Sequence, residues 1–412
     1  MTWLTPDHHV EIDAAVTAAE RTALLRTEAT RPPMGPMPSG GTAYRIFASS
    51  TLGDDSHSGL SDDQPVRTAG RIKELMVQRG MSASTAPAEV WFRPGDTWHE
   101  WPGLRFPGSR WSLVGCRWPG ITPEAPPARF LCSPGANAFE NTSVQDSLLT
   151  FLGLDIEASP EGIGIRMINE QGTHLHIHHV RIINAHTGIA IRAMDGVRIA
   201  HCCITDCQGV KGSGIQIEDS EDLVVERCYI ARQQATIFSH GIYIQDNCRG
   251  TARVRHNIIE SPGSHGVMCR MSVEAHSNVF ADCPIGLYSA GELVQVRHNV
   301  FAGRRDINFD TPRGYSLDIG WAGQVEILQN VFTGRHSGPN ACAIRLDPGQ
   351  SLPRLMPVEV LWAGNHVCDW HPEVPIIRRR SDLAINTRGH NGWEYTMPDG
   401  ALIEQVYQRP GG

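Results

Sequence analysis

The chain has 412 residues, of which 41% are apolar and 19% are charged, so it can bury a large core and is too apolar for a disordered protein. Its 36 Lys and Arg residues against 44 Asp and Glu residues give a net charge of −8, which argues against a general nucleic-acid-binding protein. No apolar run approaches the roughly 20 residues needed to span a bilayer. We therefore expect neither nucleic acid nor a membrane among its partners.

The N-terminal segment is predicted to lie apart from the main domain. Residues 8–28 have the spacing of an amphipathic helix, and the Pro/Gly-rich stretch TRPPMGPMPSGG that follows is typical of a linker. We assign residues 1–42 to this helix and linker. The first residues, MTWLTPDHHVEIDAAV, lack the basic start and apolar stretch of a secretory signal. Eleven cysteines without paired spacing favour free thiols over a disulfide framework.

The next segment predicts a strand, a turn, a helix and a second turn. It comprises YRIFASSTLGDDSHSGLSDDQPVRTAGRIKELM at residues 44–76 and VWFRPGDTW at residues 90–98. The turn GDDSHSG at residues 53–59 is rich enough in oxygen atoms to bind Ca²⁺, and an ordinary turn is the alternative. We predict no other cofactor.

Two motifs then repeat with a common period of 20 to 31 residues. The first motif is V-x-V-x-x-N-x-F, and its aligned asparagines are Asn257, Asn278, Asn299 and Asn330. In looser copies upstream, Cys228 and Cys202 take the position of the asparagine. The second, G-I-x-I, interleaves with it and begins at Gly162, Gly188, Gly214, Gly241, Gly266 and Gly286. Self-similarity of this kind is typical of stacked repeat architectures.

Each repeat contains short alternating segments rich in Val, Ile and Phe, separated by turn residues. A unit this short cannot bury its apolar face alone, so successive copies must stack. We therefore predict an all-β, single-stranded parallel β-helix over residues 43–375. We assign residues 376–412 to a C-terminal cap that covers the open sheet edge.

The segment at residues 44–98, with the GIYI and HNVF units, resembles pectate-lyase-like right-handed parallel β-helix proteins over roughly residues 43–370. This resemblance implies a right-handed coil and a substrate groove on the outer face of the GIYI strands. It does not imply one reaction, because the superfamily includes polysaccharide lyases, glycosidases, epimerases and phage tailspike-like proteins without catalytic activity.

Strand alternation predicts which side chains face that groove. With Ile242 and Ile244 inward, Tyr243 and Gln245 point outward. Aligning the G-I-x-I copies predicts one outward column of Arg166, Arg192, Glu218, Gln245, Arg270 and Ala290. A neighbouring column contains Gly164, Ala190, Gln216, Tyr243, Met268 and Tyr288.

Three arginines in one column favour an extended anionic ligand, because guanidinium groups match carboxylates and sulfates. The alternative is a solvated sheet face on which arginine balances Glu218. On the first interpretation the candidate substrate-binding residues are Arg166, Arg192, Gln216, Gln245 and Tyr288.

The same face carries candidate catalytic groups, namely His240, Tyr243, His265, Arg270, Glu218 and Asp246. Cleavage of a uronic-acid polymer by β-elimination requires a group that neutralises the carboxylate, a base and an acid. Arg270 or Arg192 could neutralise the carboxylate of the sugar. His240 or His265 could take the C5 proton, and Tyr243 could donate a proton to the leaving oxygen. Packing of each histidine at a turn is the alternative.

A hydrolase would instead need two carboxyl groups across the scissile bond, which Glu218, Asp219 and Asp246 could supply from adjacent coils. HLHIHH at residues 174–179 places three imidazoles on one strand face, where a metal site and a plain polar face are the alternatives. We assign no metal ligands.

Two functions therefore remain open. The first is cleavage of an acidic polysaccharide by a lyase, and the alternative is a non-catalytic or hydrolytic glycan-binding tailspike-type protein. Either function is expected outside the cell or on a virion, and a homotrimer is an open alternative to a single chain.

Overall fold

The computed structural model describes residues 44–80, 88–105, 111–122, 124–142, 148–168, 173–233, 236–303, 314–334, 342–346, 358–368, 375–380, 385–388 and 404–407. The predicted helix at residues 8–28 and its linker lie outside these residues. The described helix, α1, is Ala69–Gly80.

Three parallel sheets contain the described strands. Sheet 1 consists of β1 (Tyr44–Ala48), β2 (Ala88–Phe92), β5 (Trp111–Val114), β8 (Leu148–Leu152), β11 (His174–His178), β14 (Gly196–Ala200), β17 (Leu223–Glu226), β20 (Thr251–Arg255), β23 (Ser272–His276), β26 (Leu293–Arg297), β29 (Gln324–Leu328), β32 (Val358–Ala363) and β35 (Ile385–Arg388). Sheet 2 consists of β3 (Thr97–Trp101), β6 (Ala128–Cys132), β9 (Leu154–Glu157), β12 (Arg181–Ile183), β15 (Cys203–Thr205), β18 (Tyr229–Ala231), β21 (Ile258–Glu260), β24 (Val279–Cys283), β27 (Val300–Gly303), β30 (Val331–Gly334) and β33 (His366–Cys368). Sheet 3 consists of β4 (Leu104–Arg105), β7 (Phe139–Thr142), β10 (Ile163–Ile168), β13 (Thr187–Arg192), β16 (Ile215–Glu218), β19 (Ile242–Ile244), β22 (His265–Cys269), β25 (Ile285–Ala290), β28 (Tyr315–Trp321), β31 (Cys342–Leu346), β34 (Ile377–Arg380) and β36 (Glu404–Tyr407).

From β2 to β34 the chain visits sheets 1, 2 and 3 in turn, and each strand pairs in parallel with the strand one coil later. The pair β16–β19, for example, places Gln216 beside Tyr243. This path is a single-stranded parallel β-helix, as the two interleaved motifs predicted.

The asparagines of the first motif form a buried ladder at the turn from sheet 1 to sheet 2. Asn278 Oδ1 accepts from the backbone nitrogen and from Nδ2 of Asn257, each at 3.0 Å, and Asn278 Nδ2 donates to Asn299 Oδ1 at 2.9 Å. The ladder continues beyond Asn330 to Asn365, in the irregular last copy of the repeat, VEVLWAGNHV. These bonds satisfy backbone groups that would otherwise be buried without a partner.

The residue immediately before each of these asparagines has a left-handed backbone conformation, on which the ladder depends. His256, Ser277 and His298 have φ between +54° and +56°, a conformation that bends the chain sharply between the two sheets. Upstream, Cys228 is 2% exposed and its backbone nitrogen donates to Asn257 Oδ1 at 2.9 Å. Cys228 therefore belongs to the buried ladder, as expected, and Cys202 is 3% exposed in the coil before it.

Aromatic rings stack inside the later coils. The ring centroids of Phe280 and Phe301 are 4.7 Å apart, and those of Phe301 and Phe332 are 5.1 Å apart, with nearly parallel planes. Like residues recur at one point of each coil, so the core repeats with the coil.

Helix α1 packs at the first end of the coil, where Ile72, Leu75 and Met76 are buried. The P-G-D turn is held by Asp96, which is 2% exposed and accepts from Ser49 Oγ at 2.6 Å. This arrangement agrees with the strand, helix and turn predicted for the opening segment.

At the other end, the sheets continue beyond residue 375, where the sequence analysis placed the start of a cap. Strands β34, β35 and β36 extend sheets 3 and 1 by parallel pairing. The coil therefore runs into the segment assigned to the cap. The described residues contain no helix that is both long and apolar enough to cross a membrane.

Candidate functional site

A ladder of glycines sets the register of sheet 3. A Cβ atom added at Gly188 would lie 2.5 Å from the carbonyl oxygen of Gly214, and one at Gly214 would lie 2.7 Å from that of Gly241. A side chain at these positions would collide with the next coil, so only glycine fits. A Cβ atom added at Gly164 would lie 2.6 Å from the carbonyl oxygen of Gly188. Gly164 is therefore the first member of the ladder.

This register corrects the predicted columns. The sequence alignment placed Gly162 at the first ladder position and therefore placed Arg166 beside Arg192, but the structure pairs Arg166 with Ala190 and Ile168 with Arg192. The prediction was wrong by two residues because GIGIR contains glycine at both candidate positions. Two arginines of the three, Arg192 and Arg270, remain in one column.

Two rows of side chains line the outer face of sheet 3. The floor row, defined by direct strand pairing, is Glu140, Arg166, Ala190, Gln216, Tyr243, Met268, Tyr288, Asp318, Arg345 and Arg378. The arginine row lies two residues further along the strands and comprises Arg192, Glu218, Gln245 and Arg270.

Ion pairs occupy the floor row on both sides of its central residues. Arg166 pairs with Glu140, and Arg345 donates to both carboxylate oxygens of Asp318, at 2.9 and 2.5 Å. Sequence reasoning missed Glu140, Asp318 and Arg345. Continuing the repeat could have found Asp318, because Ser316 takes the next position of the glycine ladder, two residues before it.

The arginine row is different, because its two arginines form no ion pair with another residue that the structure describes. Within the described residues, no carboxylate lies at ion-pairing distance from Arg192 or Arg270, and both side chains are exposed. Glu218, between them, accepts at one oxygen from Gln216 Nε2 at 2.7 Å and from Gln245 Nε2 at 2.6 Å. The centre of the face therefore presents two exposed arginines, with the Glu218 carboxylate between them engaged by two glutamine side chains.

Two buried histidines stand along the edge where the strands of sheet 3 begin. His240 and His265 are 5% and 6% exposed, their ring centroids are 5.0 Å apart, and their Nδ1 atoms lie 3.2 Å from each other. The His240 ring lies 5.2 Å from that of Tyr243, and the His265 ring 5.9 Å from that of Tyr288. The structure thus brings together these candidate residues from neighbouring coils.

Tyr243 occupies the centre of the floor row. The guanidinium carbon of Arg270 is 5.8 Å from the centroid of its ring. Burial raises the pKa of Tyr243 above its usual 10.0; Arg270 opposes the shift, and the carboxylates of Asp246 and Glu218 add to it. The phenol is therefore protonated at neutral pH and can donate a proton, whereas it is poorly suited to act as a base.

The remaining candidate carboxyl, Asp246, is exposed in the turn after β19. It lies close enough to affect the pKa of Tyr243.

The two segments considered for metal binding have other local roles. In GDDSHSG, Asp55 accepts from the backbone nitrogens of Arg67 and Thr68 at 2.9 and 3.0 Å, just before α1. In HLHIHH, the rings of His176 and His178 are 6.0 Å apart. No three His, Cys, Asp or Glu side chains in the described parts of the chain are arranged to hold a metal ion.

Comparison with known proteins agrees with this architecture. A family profile described as "Right handed beta helix region" matches residues 133–280. Among solved structures, the A-module of a mannuronan C-5 epimerase from Azotobacter vinelandii has a TM-score of 0.54 at 12% identity, covering 84% of this chain and 96% of that one. A double mutant of the tailspike protein of E. coli bacteriophage HK620 has a TM-score of 0.53 at 10% identity, covering 88% and 67%.

The catalytic unit of a GH87 α-1,3-glucanase from Streptomyces thermodiastaticus has a TM-score of 0.50 at 12% identity, covering 92% of this chain and 70% of that one. A comparison with curated protein sequences finds no significant match. At these identities the likenesses establish the fold alone, and they agree with the right-handed parallel β-helix that the sequence predicted.

Proposed function

We propose that the outer face of sheet 3 binds an acidic, uronic-acid-containing polysaccharide and cleaves it by β-elimination. The observation that carries the proposal is the pair of exposed arginines, Arg192 and Arg270, neither of which lies at ion-pairing distance from a carboxylate of the described residues. A protein with a net charge of −8 that keeps two such arginines on one face has a surface suited to carboxylates.

The spacing of these arginines suits an extended polymer. Arg192 lies in β13 and Arg270 follows β22, three coils later, and coils are about 4.8 Å apart, so the two positions are separated by roughly 14 Å. A chain lying across the coils would meet one arginine with one carboxylate and the other arginine with a later carboxylate. A small monovalent anion would use only one of them.

Each step of the elimination has a candidate residue in the centre of the face. Arg270 neutralises the carboxylate, which acidifies the C5 proton of the sugar. His240 takes that proton, and Tyr243, whose raised pKa keeps it protonated, donates a proton to the departing oxygen. The C4–O bond breaks as the C4–C5 double bond forms, so one proton is taken up and one is released.

Two solved structures similar to this chain are named as a mannuronan epimerase and an α-1,3-glucanase, which supports a polymeric carbohydrate as ligand. We place the protein outside the cell or on a virion as part of this proposal. The likeness to a tailspike favours, as the second candidate, a protein that grips the glycan without eliminating it. A homotrimer is part of that second candidate.

The proposal is tested by incubating the protein with polygalacturonate, alginate and glycosaminoglycans. Elimination creates unsaturated ends that absorb ultraviolet light, and we expect this absorbance to rise with at least one of the acidic polymers. The variants Arg270→Gln and Tyr243→Phe should abolish the rise, whereas Arg253→Gln, an exposed arginine of sheet 1 paired with Glu274, should not. New reducing ends without absorbance would contradict elimination, and binding without either product would favour the tailspike-type candidate.

A further inference from the structure

Two long connections border the groove where sheet 2 leads into sheet 3. Residues 206–214 join β15 to β16 and residues 232–241 join β18 to β19, whereas residues 184–186 are enough between β12 and β13. Thr236 Oγ1 donates to the carbonyl oxygen of Val210 at 2.6 Å, which ties one connection to the other. We call the described residues of these two connections, 206–214, 232–233 and 236–241, the wall; they precede the strands that carry Gln216 and Tyr243.

The wall carries an exposed apolar cluster. Val210, Ile237 and Phe238 are 69%, 40% and 50% exposed, and they account for three of the eight large apolar side chains exposed in the described parts of the chain. Lys211 Nζ lies 5.8 Å from the centroid of the Phe238 ring. Exposed apolar side chains gathered in one place mark an interaction site more often than scattered ones do.

The position of the cluster connects it with the groove. Phe238 is followed directly by Ser239, which is fully buried, and by His240, whose ring contacts Tyr243. The chain thus passes within two residues from the exposed ring of Phe238 to the candidate base. The cluster therefore lies close along the chain to the groove residues His240 and Tyr243.

We propose that Val210, Lys211, Ile237 and Phe238, the rim cluster, form a subsite for an acidic sugar residue of the bound polymer. The apolar face of the sugar ring packs on the Phe238 ring, and the ammonium group of Lys211 pairs with the sugar carboxylate. Aromatic surface beside a positive charge matches a ligand that is apolar on one face and acidic at its edge. A purely apolar protein partner would leave Lys211 desolvated without a counter-charge.

This inference rests on the proposed function, and affinity electrophoresis tests it separately from turnover. The protein is run through native gels containing polygalacturonate, alginate or a glycosaminoglycan, or the same polymers with their carboxyl groups reduced. Phe238→Ser and Lys211→Gln are each expected to weaken binding to the acidic polymer about tenfold. Leu52→Ser, which changes another apolar side chain that is 56% exposed but lies in the opening segment, should bind as the unaltered protein does.

The outcomes separate the two proposals. If the unaltered protein binds the acidic polymer and both rim variants bind equally well, the subsite is wrong and the proposed function stands. If the unaltered protein binds no acidic polymer, both fail. A change in sedimentation of Phe238→Ser without a change in glycan affinity would instead show that the cluster joins protein chains, which also overturns the subsite.

Discussion

Replacing Asn278 by alanine removes an internal member of the buried asparagine ladder. The side chain takes part in four hydrogen bonds: it accepts two from Asn257, and it donates to Asn299 Oδ1 at 2.9 Å and to the carbonyl oxygen of Val254 at 2.8 Å. At about 1 kcal/mol net for each bond, the free energy of unfolding should fall by about 4 kcal/mol. Such a loss is exceptional for one substitution.

Denaturation in urea measures this loss, and hydrogen exchange at the backbone amide of Asn257 reports it locally, because that amide loses its acceptor. The matched control is Asn247→Ala, since Asn247 is exposed and its Oδ1 accepts a single bond, from the Asp219 nitrogen at 2.9 Å. The control should lose less than about 1 kcal/mol. Equal losses for the two variants would refute the role given to the ladder.

Three further outcomes are expected. Gly241→Ala should unfold at lower urea concentration than the unaltered protein, because its Cβ would lie 2.5 Å from the Gly266 carbonyl oxygen; an unchanged midpoint would show that the coils are not so closely spaced. Tyr243→Phe should lower the rate of elimination by roughly 10²- to 10⁴-fold while the Kd for the polymer stays nearly constant, and full activity would exclude the phenol as the acid. Burial, and to a smaller extent neighbouring positive groups, lowers the pKa of His178 and of His179 from 6.5 to about 4. Between pH 6.5 and pH 4 the unfolded chain therefore binds protons that the folded chain does not. The free energy of unfolding should fall as the pH falls through this range. Urea titrations above and below the window check this, and His178→Gln should reduce the fall; an equal fall in that variant would contradict the assignment.

The coil was predictable because similar side chains recur in the sequence with the period of the coil. Ile242 and Ile244 are fully buried while Tyr243 between them is half-buried, as simple alternation requires. The recurring asparagine also revealed the turn from sheet 1 to sheet 2, because only a side chain that both donates and accepts can link successive coils in this way.

Register within sheet 3 was harder to predict. The segment GIGIR offers glycine at positions 162 and 164, and both alignments keep isoleucines inward. Only the close approach of Gly164 to Gly188 decides between them, and that contact joins residues from different coils. The consequence for Arg166 is large, because the corrected position gives it Glu140 as an ion-pair partner.

Other parts of the site have a weaker periodic signal or none. Asp318 lies in a strand where Ser316 replaces the ladder glycine, so the G-I-x-I motif stops before it and only an extension of the repeat finds it. The rim cluster comes from two connections whose sequences do not alternate, and the link from Thr236 to Val210 becomes visible only when the coils are stacked.

The most direct test of the proposed groove is a structure of the Tyr243→Phe variant with an acidic oligosaccharide bound. We predict that the sugar chain lies on the outer face of sheet 3, with one carboxylate at Arg192 and another at Arg270, roughly 14 Å apart. An oligosaccharide bound to the outer face of sheet 1 or sheet 2, with both arginines still in solvent, would contradict the account.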